Sequence, residues 1–190
     1  VKNRHIVKAV SLPIGALTLT GTYQKGDEYT PKELEKMTKA VKKTIKEHYW
    51  LHNVKLPLLG IGGTARNIAK IDQRKLSYPI TKLHNYELPY HRFHEILEDV
   101  KGKSLEARKK ISGLSSERAD IIIAGLTIVD ELFNYVNAKT LVVGGCGLRE
   151  GLFYDYYGEY YLGGNSIIDD ILVHSAENVL LGMTKHELVH

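Results

Sequence analysis

Apolar residues recur every three to four positions through Leu34, Met37, Val41, Ile45 and Tyr49, with lysines filling the other sides, so the spacing predicts an amphipathic helix from Thr30 to about Leu51. Its start is explicit: Thr30 as cap, Pro31 at the first helical position and Glu33 placed to close a capping box. Phe93, Ile96, Leu97 and Val100 mark the buried face of another helix, which Gly102 should stop. Ser104 is placed to cap a short basic helix running through Lys110. Ser115 and Ser116, followed by Glu117 and Asp120, predict the start of the most apolar helix, which runs on through Leu126, Val129, Leu132, Phe133 and Val136. Within it, Gly125 stands where Ala would favour the helix by about 1 kcal/mol, which suggests close approach of another backbone.

Strand signals are shorter. Leu56–Leu59 and Thr140–Val143 are apolar enough to be buried on both faces of a sheet. His5–Leu12 and Ala16–Thr20, separated by Pro13 and Gly15, read as a plausible antiparallel pair, and Tyr78–Leu88 as an irregular connection. Two of the strands run straight into glycines and then into a helix. The first unit is Leu58-Leu59-Gly60-Ile61-Gly62-Gly63-Thr64-Ala65-Arg66, with Thr64 offering a cap hydroxyl; the second is Val142-Val143-Gly144-Gly145-Cys146-Gly147-Leu148-Arg149. A helix starting after such a turn aims unpaired N–H groups and the positive end of its dipole at whatever sits above it, so an anion is the expected guest. Two strand–turn–helix units in one chain imply an α/β sheet whose carboxyl-end loops gather on one edge.

Composition changes this picture little. The chain has 190 residues, 43% hydrophobic and 25% charged, which fits one domain or one lobe with a real core. A formal net charge of +4 permits a polyanionic partner, although the lysines read mainly as a solvated helix face. Cys146 is the only cysteine, which rules out an internal disulfide and favours a reducing, cytoplasmic setting; with no histidine near it in sequence, it reads as a small buried thiol. No apolar run approaches the length of a membrane span. The chain begins at Val1 without Met, as a piece of a longer protein would.

Several patterns tempt a metal or nucleic-acid reading. His48 and His52 are four apart and His91 and His94 three apart, but no carboxylate or cysteine joins either pair at matched spacing, and helix surface is the better account of both. His186-Glu187-Leu188-Val189-His190 matches the H-E-x-x-H zinc pattern yet reads better as a helical tail. Tyr154, Tyr156, Tyr157, Tyr160 and Tyr161 are irregularly spaced and suit a protein interface, a homodimer contact for example, before a base-stacking platform, so no nucleic acid is expected.

Taken in order, Ser11-Leu12-Pro13-Ile14-Gly15-Ala16, Gly60-Ile61-Gly62-Gly63-Thr64-Ala65-Arg66, Ser116-Glu117-Arg118-Ala119-Asp120-Ile121-Ile122 with Gly125, Gly147-Leu148-Arg149-Glu150-Gly151 and Ile168-Asp169-Asp170 resemble the successive motifs of the Ppx/GppA phosphatases. These are exopolyphosphatases and guanosine pentaphosphate phosphohydrolases of the actin-like ATPase superfamily. The resemblance implies an α/β, ribonuclease H-like fold with a mixed sheet flanked by helices. It further implies that residues 1–190 are the second, C-terminal lobe of a two-lobed protein, without the first lobe and without the first strand of their own lobe.

That resemblance carries a mechanism which this chain cannot complete alone. The terminal phosphates of polyphosphate, or of guanosine penta- or tetraphosphate, would be held by Mg²⁺ and backbone N–H groups while a Glu of the missing lobe directs a water at phosphorus. The missing lobe would hold most of the Mg²⁺ ligands, and this lobe would form the opposite wall. There Gly62, Gly63 and Thr64 would contact phosphate, Arg66 and Arg118 would neutralise charge, and Arg149 would support the cleft or its phosphate, although each arginine has an acidic neighbour that could claim it in a structural ion pair. No catalytic residue is assigned to this chain. A nucleotide- or alarmone-binding module without turnover, or a related kinase or ATPase lobe, is the alternative.

Overall fold

In the computed structural model the Thr30 capping box forms as read: the Glu33 amide donates to the Thr30 hydroxyl at 3.3 Å and the Thr30 amide to the Glu33 carboxylate at 2.8 Å. The structure describes residues 6–161 together with Gly163, Val173, Ala176 and Leu180. The Ile168-Asp169-Asp170 motif, the H-E-x-x-H pattern and residues Val1–His5 lie outside the described residues. Two compact units divide the chain, residues 1–145 and residues 146–190.

The first unit holds helices α1 (Ala16–Tyr23), α2 (Pro31–Lys46), α3 (Gly63–Lys75), α4 (Tyr90–Lys101), α5 (Leu105–Lys109) and α6 (Ile122–Val136). Its strands are β1 (Leu58–Gly60), β2 (Tyr86–Pro89) and β3 (Thr140–Val143). The strand order is β1-β3-β2, with β1 parallel and β2 antiparallel to the central β3. This is a mixed sheet flanked by helices. Helix α6 is the hub: Ile122, Ile123, Leu126 and Phe133 are buried, and the helix packs on α1, α2 and α4. Phe93 of α4 and Phe133 meet with ring centroids 5.1 Å apart.

Five expectations are corrected. Ala16–Tyr23 is a helix, and the segment before it is not a strand, so no antiparallel pair forms there; only Leu19 of α1 is buried, a pattern that alternation could not reveal. Helix α2 ends at Lys46, and Tyr49 follows in a separate 3₁₀ turn with its ring exposed. A short strand, β2, lies within the expected irregular connection, because backbone pairing with β3 outweighs the weak local signal of Tyr86-Glu87-Leu88-Pro89. Strand β1 is an edge strand with Leu59 66% exposed, so it is not buried on both faces. Ser116–Arg118 forms a 3₁₀ turn, its Arg118 and Ala119 amides bonded to the Ser115 and Ser116 carbonyls, and α6 begins only at Ile122, without a serine cap.

Helix α3 is seated by close backbone approaches. Gly113 has φ +94°, and a Cβ there would lie 2.6 Å from the carbonyl carbon and oxygen of Lys70. Gly125 faces Thr64, whose Cγ2 and Oγ1 would each be 2.8 Å from an added Cβ. The close neighbour of Gly125 is therefore a side chain, not the second backbone that the sequence suggested. On the far side of α3, the Tyr86 hydroxyl donates to Asp72 Oδ2 at 2.6 Å, and Arg92 Nη2 lies 3.4 Å from the same oxygen. That buried cluster ties α3, β2 and α4 together.

In the second unit, α7 (Leu148–Tyr161) forms as expected. Its aromatic rings pair along the helix, Tyr156 tilted against Tyr160 at 4.4 Å and Tyr157 stacked on Tyr161 at 5.1 Å between centroids. All five tyrosines are exposed. Cys146 is exposed rather than buried, because it lies beyond the last residue of β3 in the turn leading to α7.

Two measurements check these seats. Gly113→Ala should destabilise the fold by roughly 2–5 kcal/mol through a left-handed backbone and overpacking, whereas Gly21→Ala, in α1 with open space around it, should stabilise by about 0.5–1 kcal/mol; thermal or denaturant melts read both. Burial first, and then Asp72, push the Tyr86 phenol well above its ordinary range. The folded state thus holds that proton more tightly than the unfolded chain, so stability is intact below about pH 10 and falls as pH rises above it. Denaturant melts at rising pH should show this decline, and Tyr86→Phe should flatten it.

Candidate functional site

The parallel pairing of β1 with β3 puts both glycine turns at the same sheet edge. Gly60 is in register with Val143, and the Gly144 amide donates to the Gly60 carbonyl at 2.8 Å, one rung further on. Gly60 cannot carry a side chain, since an added Cβ would lie 2.8 Å from Ala65 Cβ and 2.9 Å from Leu141 Cδ1. Its absence lets α3 fold back directly onto the strand. Gly62, with φ +99° and ψ −171°, then turns the chain into α3, which starts at Gly63. Thr64 is consequently inside the first turn and not its cap, and its side chain is spent on Gly125. The Gly63, Thr64 and Ala65 amides donate to no acceptor among the described residues, which leaves the helix's positive end open.

Arg118 meets this turn. An added Cβ at Gly63 would collide with the Arg118 guanidinium, with Nε and Nη2 each 2.5 Å away. Gly63 is therefore glycine for a second reason: the guanidinium lies where its side chain would stand. Arg118 pairs with no carboxylate among the described residues, and Asp120 accepts instead from the Ile121 amide at 2.8 Å. The structural ion pair that the sequence left open for Arg118 does not form.

Asn67 is the side chain that brings Arg118 there, and sequence reading missed it. It is 7% exposed; its Oδ1 accepts from the Ser115 amide at 2.7 Å and its Nδ2 donates to the Gly63 carbonyl at 2.8 Å. The Ser115 carbonyl in turn accepts from the Arg118 amide at 2.9 Å. One amide side chain thus spans the helix start and the turn that carries the arginine. The only signal in the sequence was a short polar residue one turn inside an otherwise ordinary helix.

His84 also borders this edge. Its Nδ1 accepts from the Gly145 amide at 3.2 Å, and the Asn85 amide donates to the Val143 carbonyl at 2.9 Å. With Nδ1 accepting, the ring proton sits on Nε2, which gives the edge a further donor. Of the residues expected from the sequence, the structure brings Gly62, Gly63, Thr64 and Arg118 together, and Arg66 stands half-buried in the next residues of α3. Arg149 is exposed in the first turn of α7, in the second unit, where Glu150 accepts from the Gly147 amide at 2.7 Å.

One histidine of each pair meets aromatic rings. His52 packs between Tyr49 and Tyr135, and His94 against Tyr90. Among the described residues no three His, Cys, Asp or Glu side chains are grouped to hold a metal. No helix among them is long and apolar enough to cross a membrane.

A family model described as the Ppx/GppA phosphatase family matches residues 1–159. The Aquifex aeolicus member of the Ppx/GppA protein family superposes with TM-score 0.68 at 27% identity, covering 80% of this chain and 49% of that one. An exopolyphosphatase from Cytophaga hutchinsonii superposes with TM-score 0.75 at 19% identity, covering 82% of this chain and 51% of that one, a likeness of fold. A bifunctional 3-dehydroquinate synthase/phosphatase of Fusobacterium nucleatum is 26% identical over 141 residues, 73% of this chain and 21% of that protein. The chain spans about half the length of the solved relatives and about a fifth of the bifunctional one.

The Asn67 bridge is tested by two substitutions. Asn67→Ala frees the Ser115 amide and should cost about 1–3 kcal/mol. Asn67→Asp keeps an acceptor for Ser115 but loses the donor to the Gly63 carbonyl and sets a second oxygen against it, so it should also melt below the parent, and its carboxylate beside the open amides should weaken pyrophosphate binding further than Asn67→Ala does. Melting curves and calorimetric titration with pyrophosphate separate the two effects.

Proposed function

Because the chain belongs to the Ppx/GppA phosphatase family, we propose that it forms one wall of the phosphate cleft of a phosphohydrolase releasing terminal phosphate from polyphosphate or guanosine pentaphosphate. The observation that carries this reading is the Arg118 guanidinium set against Gly63 at a helix start whose first amides are open. Three amides, a helix dipole and an unpaired planar cation converge on one point, and together they suit tetrahedral oxyanions. Gly63 and Thr64 donate backbone N–H groups to phosphate oxygens, Arg118 neutralises their charge, and Arg66 adds to the field from the same helix.

The terminal phosphate is held and oriented here, and water is directed at it from the first lobe. The exposed edge at β1 supports that arrangement: Leu59 is 66% and Ile61 60% exposed, apolar surface of the kind that a neighbouring strand or lobe covers. Mg²⁺ belongs to the proposed reaction through the family, but the described residues do not fit it, since no carboxylate cluster borders the turn. No step of this lobe's part runs through the ion. The site of action is the cytoplasm.

The test is phosphate release from polyphosphate and guanosine pentaphosphate, measured with the full-length parent and with the 190-residue chain. Activity is expected only from the parent, and turnover by the chain alone would sink the half-site reading. Arg118→Gln in the parent should lower kcat/KM by roughly ten- to a hundredfold, the worth of one charge-assisted contact. Tight guanosine pentaphosphate binding without turnover by the parent would favour the alarmone-binding alternative.

A further inference from the structure

Along α3, Arg66, Lys70 and Arg74 are spaced four apart and so line one face, spanning roughly 12 Å from the phosphate turn towards the helix's far end. That far end opens into a cavity of about 690 Å³, within the range of small-ligand sites. Lys70 and Arg74 form its floor, Ser77, Tyr78 and Thr81 one wall, and Ser112 part of the other. No acidic side chain lines it among the described residues. Neither Lys70 nor Arg74 has a carboxylate partner among them, although the adjacent Lys75 pairs with Asp99 at 3.4 Å. Two cations without a carboxylate partner among the described residues and five hydroxyls, that of Ser115 included, thus line one concave space.

The walls are built. Gln73 Nε2 donates to the Lys82 carbonyl at 3.1 Å and the Tyr78 amide to the Gln73 carbonyl at 2.8 Å, which fix the 77–82 segment to α3. The Tyr78 ring stands edge-on to Tyr86, centroids 5.4 Å apart. Opposite, Gly113 is pressed on the Lys70 backbone, which holds Ser112 in place. A site whose walls are held this way loses little order on binding.

We propose that this groove is a second site for phosphate-rich anions, separate from the Gly63 turn and joined to it by the Arg66–Lys70–Arg74 row. Its hydroxyls and cations match phosphate oxygens, and its size admits several phosphate units. The occupant is an oligophosphate, either free or as the distal units of a chain whose end lies at Gly63. The groove stands on its own lining and does not require the Gly63 reading.

Inorganic tripolyphosphate titrated calorimetrically into the 190-residue chain, and into Lys70→Gln/Arg74→Gln, Thr81→Glu and Arg118→Gln variants, tests this. Melting curves for each variant check folding, and exposed Thr81 supplies a variant that leaves both cations in place. The groove should persist in Arg118→Gln and bind roughly tenfold more weakly in each of the other two. Unchanged binding in both groove variants overturns the proposal, as does loss of all binding in Arg118→Gln, which would leave the Gly63 turn as the sole site. Sensitivity of the groove variants alone would sustain the groove and count against the Gly63 turn. Long-chain polyphosphate then separates the sources: a chain crossing both sites is weakened by Arg118→Gln and by the groove pair alike, whereas a free oligophosphate in the groove ignores Arg118.

Discussion

Asn67 holds two backbones at once, accepting from Ser115 and donating to Gly63, and the architecture of the sheet edge depends on that bridge. A buried amide side chain left unpaired is costly, so the bridge fixes both partners together. Without it the 115–118 turn has no reason to lie against the start of α3, and Arg118 has no reason to face Gly63. The glycines make the bridge geometrically possible. Gly113 and Gly125 let the following loop and α6 close on α3, while Gly60 lets α3 close on the sheet.

Once α3 is seated, the electrostatics follow. Its amino end is open and positive, and Arg118 adds a full charge at the same point, with no carboxylate paired to it among the described residues. The opposite side of the helix is arranged differently. Asp72 is buried and satisfied by Tyr86 and Arg92, which turns the helix's one buried carboxylate inward, away from any anion. The cations of α3 without a carboxylate partner among the described residues, Arg66, Lys70 and Arg74, are those of one outer face. Charge on α3 is therefore sorted by side, paired within the protein and left free towards solvent.

The chain belongs to the Ppx/GppA phosphatase family, and the proposal gives it the phosphate-holding part of that family's reaction. The first unit has open amide donors with fixed positive charge beside them, which supports the proposed phosphate-holding wall. An open β1 edge with exposed Leu59 and Ile61 is consistent with a partner lobe completing the cleft.

The sequence by itself determined the local and the repetitive. The capping box at Thr30, the amphipathic faces of α2 and α4, the two strand–glycine–helix units and the ordered motifs were all legible, because each rests on spacing within a few residues. It misread the segment before Pro31 as strands, since a helix with a single buried residue leaves no periodic trace. It also placed the start of α6 six residues early, where a 3₁₀ turn stands instead, tied to α3 through Asn67, 48 positions from Ser115. Tertiary structure alone decided that Arg118 faces Gly63 and not a neighbouring carboxylate, that Thr64 packs on Gly125, and that His84 joins the edge. These are contacts between residues far apart in the chain. Side chains of such types have many local partners, and only the packing of α3 against α6 and the sheet chooses among them.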